Sequence, residues 1–195
     1  MIMSQFERMH IKATGTIQGF ARHYFLLYSA VLGVEPDLVF EFGAGFSTQV
    51  ILCALEDNHR GRLITCDQRS RVQTVEKQLY VLENRLTYLE GTFEKCKIDI
   101  GNHFYDIVLH DGSHDWSSVA DELNFLIPLI KQNGILMVHD TCHPSQMAST
   151  LTPDILQGMP GKLEYMTLPY GYGLTIARVR EDFGHGKISP KWRKQ

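Results

Sequence analysis

Several features are missing from this chain of 195 residues, and each absence removes a class of function. No apolar run approaches the roughly 20 residues that span a bilayer, and MIMSQFERMHIKATG has no basic stretch leading into an apolar core, so neither a membrane span nor a secretory leader is expected. The formal net charge is -3, which gives no electrostatic reason to expect nucleic acid or an anionic membrane as partner. Cys53, Cys66, Cys96 and Cys142 form no CxxC pair. Scattered in this way, they read as buried free thiols of a reducing compartment, and a soluble cytoplasmic protein is expected. There is no internal repeat, low-complexity tract or linker. With 44% hydrophobic residues, the chain is long enough for one well-buried core and too short for two. Residues 1–195 should therefore form a single domain: an N-terminal helical segment over 1–33, a core over 34–180 and a solvated basic tail over 181–195.

What is present is an alternation of strand-like and helix-like runs, the pattern of a mostly parallel sheet covered by helices on both faces. A helical segment over 17–33 precedes DLVFEF (37–42), the first strand, and FSTQVILCALEDN (46–58), its helix. RLITCD (62–67) and RVQTVEKQLYVLE (71–83) form the second pair, followed by LTYLEG (86–91) and YDIVLHD (105–111) as strands three and four. A helix over 116–132, the strand GILMVHD (134–140) and a helical stretch over 145–157 come next. LEYMTLP (163–169) and GLTIARV (173–179), joined by PYGYG, close the chain as a hairpin. The expectation is a Rossmann-like, seven-stranded α/β sheet with a late antiparallel strand.

Two stretches carry the chemistry. In LVFEFGAGFSTQ, an apolar strand enters Gly43, Ala44 and Gly45 just before a helix. Glycines there admit positive φ and allow a ligand to touch the backbone, while the helix N-terminus offers unpaired N–H groups. A tight structural turn would explain the same glycines. Glu41, at a strand end where an unpartnered carboxylate is costly, and Asp67, where a carboxylate can accept from ribose hydroxyls, favour a nucleotide-like ligand. Thr48 occupies the place of the third glycine of a dinucleotide fingerprint, which weakens an NAD reading.

The second feature is a repeated H-D-x-x-H, as HDGSH (110–114) and HDTCH (139–143). On a helix this spacing would put two histidines on one face, as zinc sites do. Both copies instead follow strand-like runs, so neighbouring parallel strands should bring Asp111, His139 and Asp140 to one carboxyl edge. His110, inside the strand, reads as a core residue, and Asp121 and Glu122 as a solvated helix face. His143 is a further candidate base. Tyr170 and Tyr172 belong to the turn, where edge packing is expected.

EFGAGFST, the acid of LITCD, the EGTFE turn, YDIVLHDGSHDW and GILMVHD, in this order and spacing over about 35–180, resemble class I S-adenosylmethionine (SAM) dependent methyltransferases. Within that class the resemblance is to small-molecule O-methyltransferases and cephalosporin-hydroxylase-like sequences. It implies that Glu41, Gly43, Ala44, Gly45 and Ser47 line the methionine part of SAM, that Asp67 binds the ribose, and that Thr92 and Phe93 border the adenine. Asp111 would face the ammonium and sulfonium region. In metal-dependent members the strand-five end carries two oxygen ligands. Here His139 stands at the first of them, so a divalent ion held by Asp111, His139 and Asp140 would be manganese, iron or zinc more readily than magnesium; the alternative is a histidine that hydrogen-bonds a loop. His114 lies where catechol-type members place a basic lysine and, with Asp111, is the candidate catalytic residue; its alternative role is packing against Trp116. The implied function is methyl transfer to a hydroxyl of a small-molecule acceptor, in a pocket left open or completed by a second copy in a homo-oligomer. An NAD-dependent oxidoreductase and a SAM-binding protein without transferase activity are the other readings.

Overall fold

The structure, a computed structural model, describes residues 19–68, 83–143, 152–158 and 162–180. The expected helix over 71–83, the first part of that over 145–157, the side chain of Trp116 and the tail over 181–195 lie outside the described residues, apart from a 3-10 turn at Glu83–Arg85.

A 3-10 turn Phe20–His23 leads into α1 (Tyr24–Val34), β1 (Leu38–Phe42), α2 (Phe46–Asp57), β2 (Arg62–Asp67) and β3 (Leu86–Glu90). Then follow α3 (Phe93–Gly101), β4 (Tyr105–His110), α4 (Trp116–Leu126), β5 (Ile130–His139), α5 (Thr152–Gln157), β6 (Leu163–Leu168) and β7 (Leu174–Val179). The seven strands form one sheet in the order β3-β2-β1-β4-β5-β7-β6. Neighbours from β3 to β5 are parallel, and β7 runs antiparallel to both β5 and β6. The strand order reverses between β1 and β4, which opens a crevice at their carboxyl ends.

Side-chain alternation divides the core between the two faces. Phe40 and Phe42 of β1, Val108 of β4 and Leu136 and Val138 of β5 pack with Phe93, Ile100, Val119 and Leu123 from α3 and α4. Val39, Ile107, Leu109 and Met137 pack on the other face with Leu27, Val31, Ile51 and Leu55 from α1 and α2. Removing a side chain such as Leu27 or Leu123, both fully buried, from water contributes about 1.5–3 kcal/mol. α1 stops where Glu35 turns left-handed (φ 50°) ahead of Pro36, and Asn58 at the end of α2 donates to the Val31 carbonyl at 3.0 Å, which holds the two helices together.

Two elements differ from expectation. α3 was not foreseen, because LTYLEGTFE reads as a strand and turn. Thr92 nevertheless accepts the Lys95 N–H at 3.3 Å as an N-cap, and Phe93, Cys96 and Ile100 turn one stripe to the core. The helix expected over 116–132 ends at Leu126, and Pro128 sits in a 3-10 turn Ile127–Leu129. Ile130 already pairs with Tyr105, so β5 begins four residues earlier than its apolar run, across an irregularity in the β4–β5 register. Proline lacks the N–H that would continue the helix.

Candidate functional site

At the carboxyl ends of β1, β2 and β4 lies a cleft of about 530 Å³, within the size range of small-molecule sites. Its walls include Gly43, Ala44, Gly45, Ser47, Asp67, Asp111 and His114, so the structure gathers most of the residues singled out in the sequence. Phe20, Tyr24, Phe42, Phe46, Gln68 and Gly112 complete the lining, which includes no lysine or arginine among the described residues.

The glycine turn is built for close approach. Gly43 has φ 97°, and a Cβ there would lie 2.1 Å from the Asp111 carbonyl oxygen. Gly112 is equally constrained, since its Cβ would meet the Phe42 ring at 2.2 Å. The turn is fastened by Gly43 N–H donating to the Cys66 carbonyl at 2.9 Å and by Ala44 N–H donating to Asp67 Oδ2 at 3.0 Å. Asp67 therefore both lines the cleft and orients the turn.

Glu41 lies beneath the turn, fully buried, and is not part of the cleft wall. Its carboxylate accepts from Ser47 Oγ at 2.5 Å, Thr48 Oγ1 at 2.6 Å and Thr65 Oγ1 at 2.8 Å. Thr48 Oγ1 in turn accepts the Gly45 N–H at 3.0 Å. Burial pushes the Glu41 carboxyl up to about 7; the three hydroxyl donors oppose that rise and the charge of Asp111 adds to it. Thr92 and Phe93 are also outside the cleft wall: Thr92 caps α3, and the Phe93 ring packs in the core 5.3 Å from that of Phe42.

The two H-D-x-x-H copies are explained by register. His110 is paired with Val138, so His139 lies one position further along the sheet and faces the opposite side. His110 turns to α4, where its Nε2 is 2.8 Å from Glu122 Oε2. Glu122, expected on a solvated face, is 4% exposed, because the stripe of α4 that faces the sheet includes it. His139 turns to the α1 face and comes level with Asp111. Its Nδ1 lies 3.0 Å from Asp111 Oδ1 and 3.2 Å from Asp140 Oδ1, and its Nε2 lies 2.9 Å from the Gly171 carbonyl oxygen.

That carbonyl can only accept, so Nε2 carries a hydrogen. A neutral ring would then aim the Nδ1 lone pair at two carboxylates. The triangle therefore needs a proton between Nδ1 and a carboxylate, carried by either group, or a metal ion in its place. Burial alone would lower the His139 pKa; the hydrogen bond and charge of Asp111, with Asp140 and Gly171, outweigh it and raise the pKa. Burial raises that of Asp140, with Asp111 adding to the rise and His139, His114 and His143 partly offsetting it. Asp140 Oδ1, although close to His139, has no hydrogen-bond partner of good geometry, an orphaned buried oxygen turned toward the triangle. Asp111, His139 and Asp140 each offer a ligand atom within 4.8 Å of the others.

His114, half exposed at the cleft rim, has Nδ1 3.6 Å from Asp140 Oδ2. His143 lies against Tyr172, with ring centroids 4.1 Å apart. Cys142 is exposed, unlike the buried Cys53, Cys66 and Cys96, because it follows β5 into the surface loop.

Sequence reasoning missed the contribution of the first turn. Phe20 packs edge-on to His139 with centroids 5.0 Å apart, and Tyr24 meets Phe46 at 5.0 Å. His23 is buried between Tyr170, stacked at 5.0 Å, and His139; neither of its ring nitrogens makes a well-directed hydrogen bond. Burial, with His139 beside it, takes the His23 pKa down to about 4. Burial likewise pushes Tyr24 up to about 12, helped by Asp111 and Glu41. The aromatic density of GFARHYFLLY was the available signal, but nothing local states which strand ends it will cover.

Comparison with known proteins places the fold and the family. No curated protein matches the sequence. The fold is similar to that of the O-methyltransferase TomG of Streptomyces achromogenes in complex with SAM, at a TM-score of 0.71, 14% identity and 92% coverage of each chain. An O-methyltransferase of Bacillus cereus in complex with SAH gives the same figures. A putative caffeoyl-CoA O-methyltransferase of Staphylococcus aureus gives 0.70, 15%, and coverage of 91% of this chain and 93% of that one. A family model described as a methyltransferase domain matches residues 40–141, from β1 through the strand-five aspartate. The chain belongs to that methyltransferase-domain family.

Proposed function

We propose that this protein transfers the methyl group of SAM to a hydroxyl of a small-molecule acceptor. The observation that carries the reading is the single cleft in which a glycine turn, Asp67 and Asp111 meet at the sheet's reversal point, with His114 at the rim. The residues fit the cofactor: the wall has carboxylates and aromatic rings for a cationic nucleoside, and a glycine turn packed so closely on the Asp111 backbone that it keeps Asp111 beside it. When bound, SAM supplies an electrophilic methyl group on a sulfonium. Ala44, tied to Asp67, and the start of α2 would hold the cofactor, and Asp111 would add negative charge to the wall around its cation. His114, backed by Asp140, would accept the acceptor hydroxyl's proton at a ring nitrogen and leave an oxygen nucleophile.

The Asp111–His139–Asp140 triangle also fits a divalent cation. The Gly171 carbonyl fixes the Nε2–H tautomer, which is how a histidine ligand's second nitrogen is normally held. One nitrogen among oxygens suits manganese or iron better than magnesium. When bound, the ion supplies a Lewis acid that lowers the acceptor hydroxyl's pKa. Because the folded protein raises the His139 pKa, imidazolium persists above the ordinary 6.5 and must lose its proton before Nδ1 can ligate. Manganese affinity, read by titration calorimetry, should therefore tighten about tenfold per pH unit below the folded pKa and level off above it.

The dinucleotide reading is disfavoured by Thr48, which fills the third-glycine position with a fully buried side chain bonded to Glu41. Turnover of SAM to S-adenosylhomocysteine (SAH) with a panel of hydroxylated acceptors, with and without manganese, tests the proposal. Acceptor-dependent SAH formation is expected. Binding of SAM without turnover on any acceptor would favour a binding protein instead.

A further inference from the structure

Glu122 is not part of the cleft wall, yet it is one of the most enclosed acidic side chains of the described residues. Reaching from the middle of α4, it accepts the Ser113 hydroxyl at Oε1 (2.6 Å), and Oε2 lies 2.8 Å from His110 Nε2, which donates to an ionised carboxylate in its Nε2–H tautomer. A carboxylate removed from water is tolerated only when such donors meet it, and loss of either leaves a costly orphan. Of these two partners, His110 is the last residue of β4 and Ser113 directly precedes His114 in the loop.

The same loop is fixed on its other flank by backbone. Asp111 N–H donates to the Phe42 carbonyl at 2.8 Å, Gly112 has no room for a side chain beside Phe42, and Gly43 none beside Asp111. Further along, Asp115 Oδ1 accepts the Ser118 N–H at 3.0 Å and starts α4. The DGSH loop is thus clamped between the glycine turn of β1 and a carboxylate buried in α4.

We infer that Glu122 is a positioning residue: through Ser113 and His110 it fixes the loop that presents Asp111 and His114 to the cleft. Ligand affinity then depends on a carboxylate that lies outside the cleft wall. The inference deepens the methyltransferase reading and rests on it for the ligand, but not for the order of the loop.

The test uses the full chain as wild type, Glu122→Gln, Ser113→Ala and Ser113→Thr, with amide hydrogen exchange by mass spectrometry and calorimetric titration with SAH. Losing a hydrogen bond to a charged group should raise exchange over 111–115 about tenfold in Glu122→Gln and Ser113→Ala, with β1 and β5 as protected as in wild type. SAH should bind those two variants roughly three- to tenfold more weakly, and Ser113→Thr, which keeps the hydroxyl, should behave like wild type. Ser113→Ala removes one surface-proximal donor, so it reports even if Glu122→Gln folds poorly. An unchanged loop, a uniform rise in exchange across the sheet, a threonine variant as loose as the alanine one, or a loosened loop with unchanged SAH affinity would each overturn the inference. If wild type itself does not bind SAH, the methyltransferase reading fails, while the exchange pattern still decides whether Glu122 clamps the loop.

Discussion

HDGSH and HDTCH are alike in sequence and opposite in use. The first copy sends its leading histidine into the α4 face, where His110 and Glu122 form a buried pair, and exposes Asp111 and His114 to the cleft. The second sends His139 to the α1 face, between Asp111 and Asp140, and carries Cys142 and His143 away into a surface loop. One step of register between β4 and β5 causes the difference, because neighbouring positions on a strand face opposite sides. A motif repeated on adjacent strands is therefore no guide to repeated function. The register assigns the first histidine to the interior and the first aspartate to the cleft.

That contrast can be broken by substitution. The largest effect is expected at Asp111, which belongs to both the cleft and the His139 triangle: Asp111→Ala should lower methyl transfer about 10³-fold, the scale of losing a pre-aligned electrostatic contact. A steady-state assay of SAH formation checks this, and wild-type activity in the variant would remove Asp111 from the chemistry. His114→Gln should cost about 100-fold in kcat with a smaller change in KM for SAM, as expected for a base that acts on the acceptor.

Glu41, outside both copies, provides a stability contrast. Its folded pKa of about 7 lies above the ordinary 4.5, so the folded protein holds the proton more tightly than the unfolded chain. Stability should be greatest below pH 4.5 on this account and decline through the window from 4.5 to 7, by roughly 3 kcal/mol for a shift of this size. The charged and polar groups facing it are Asp111 and the hydroxyls of Ser47, Thr48 and Thr65, none of them a counter-cation. Glu41→Gln should flatten that decline in thermal melts recorded from pH 5 to 8; an unchanged slope would contradict it. Smallest of all, Cys142→Ala in the exposed part of the second copy should change stability by less than about 0.5 kcal/mol and leave activity nearly intact.

Much of the fold was legible because burial on both faces of a parallel sheet writes continuous apolar runs, as in LVFEF and YDIVLH, bounded by turn residues. α3 was not legible, since its short stripe of Phe93, Cys96 and Ile100 follows at once on a strand ending in glycine. The end of α4 was blurred because the apolar density of LIPLIK (126–131) around Pro128 serves a 3-10 turn and then a strand. At the site, the gathering of Gly43, Asp67 and Asp111 follows from strand ends and is local information. What escaped depends on tertiary placement: the Phe20 and Tyr24 wall, the burial of Glu41 under the turn, and the inward face of Glu122. Each requires knowing which helix lies over which strand, and charge and periodicity alone assign Glu122 to water.

The central claim is that the crevice between the β1 and β4 ends is the SAM site, and the most direct measurement is a calorimetric titration of wild type and Asp67→Ala with SAH, in the presence of a chelator. Micromolar one-site binding to wild type, weakened about tenfold or more in the variant through loss of the Ala44 contact and of the ribose contact proposed for Asp67, and no heat with NADH, is the predicted result. Tight NADH binding, or SAH affinity equal in the two proteins, would contradict it.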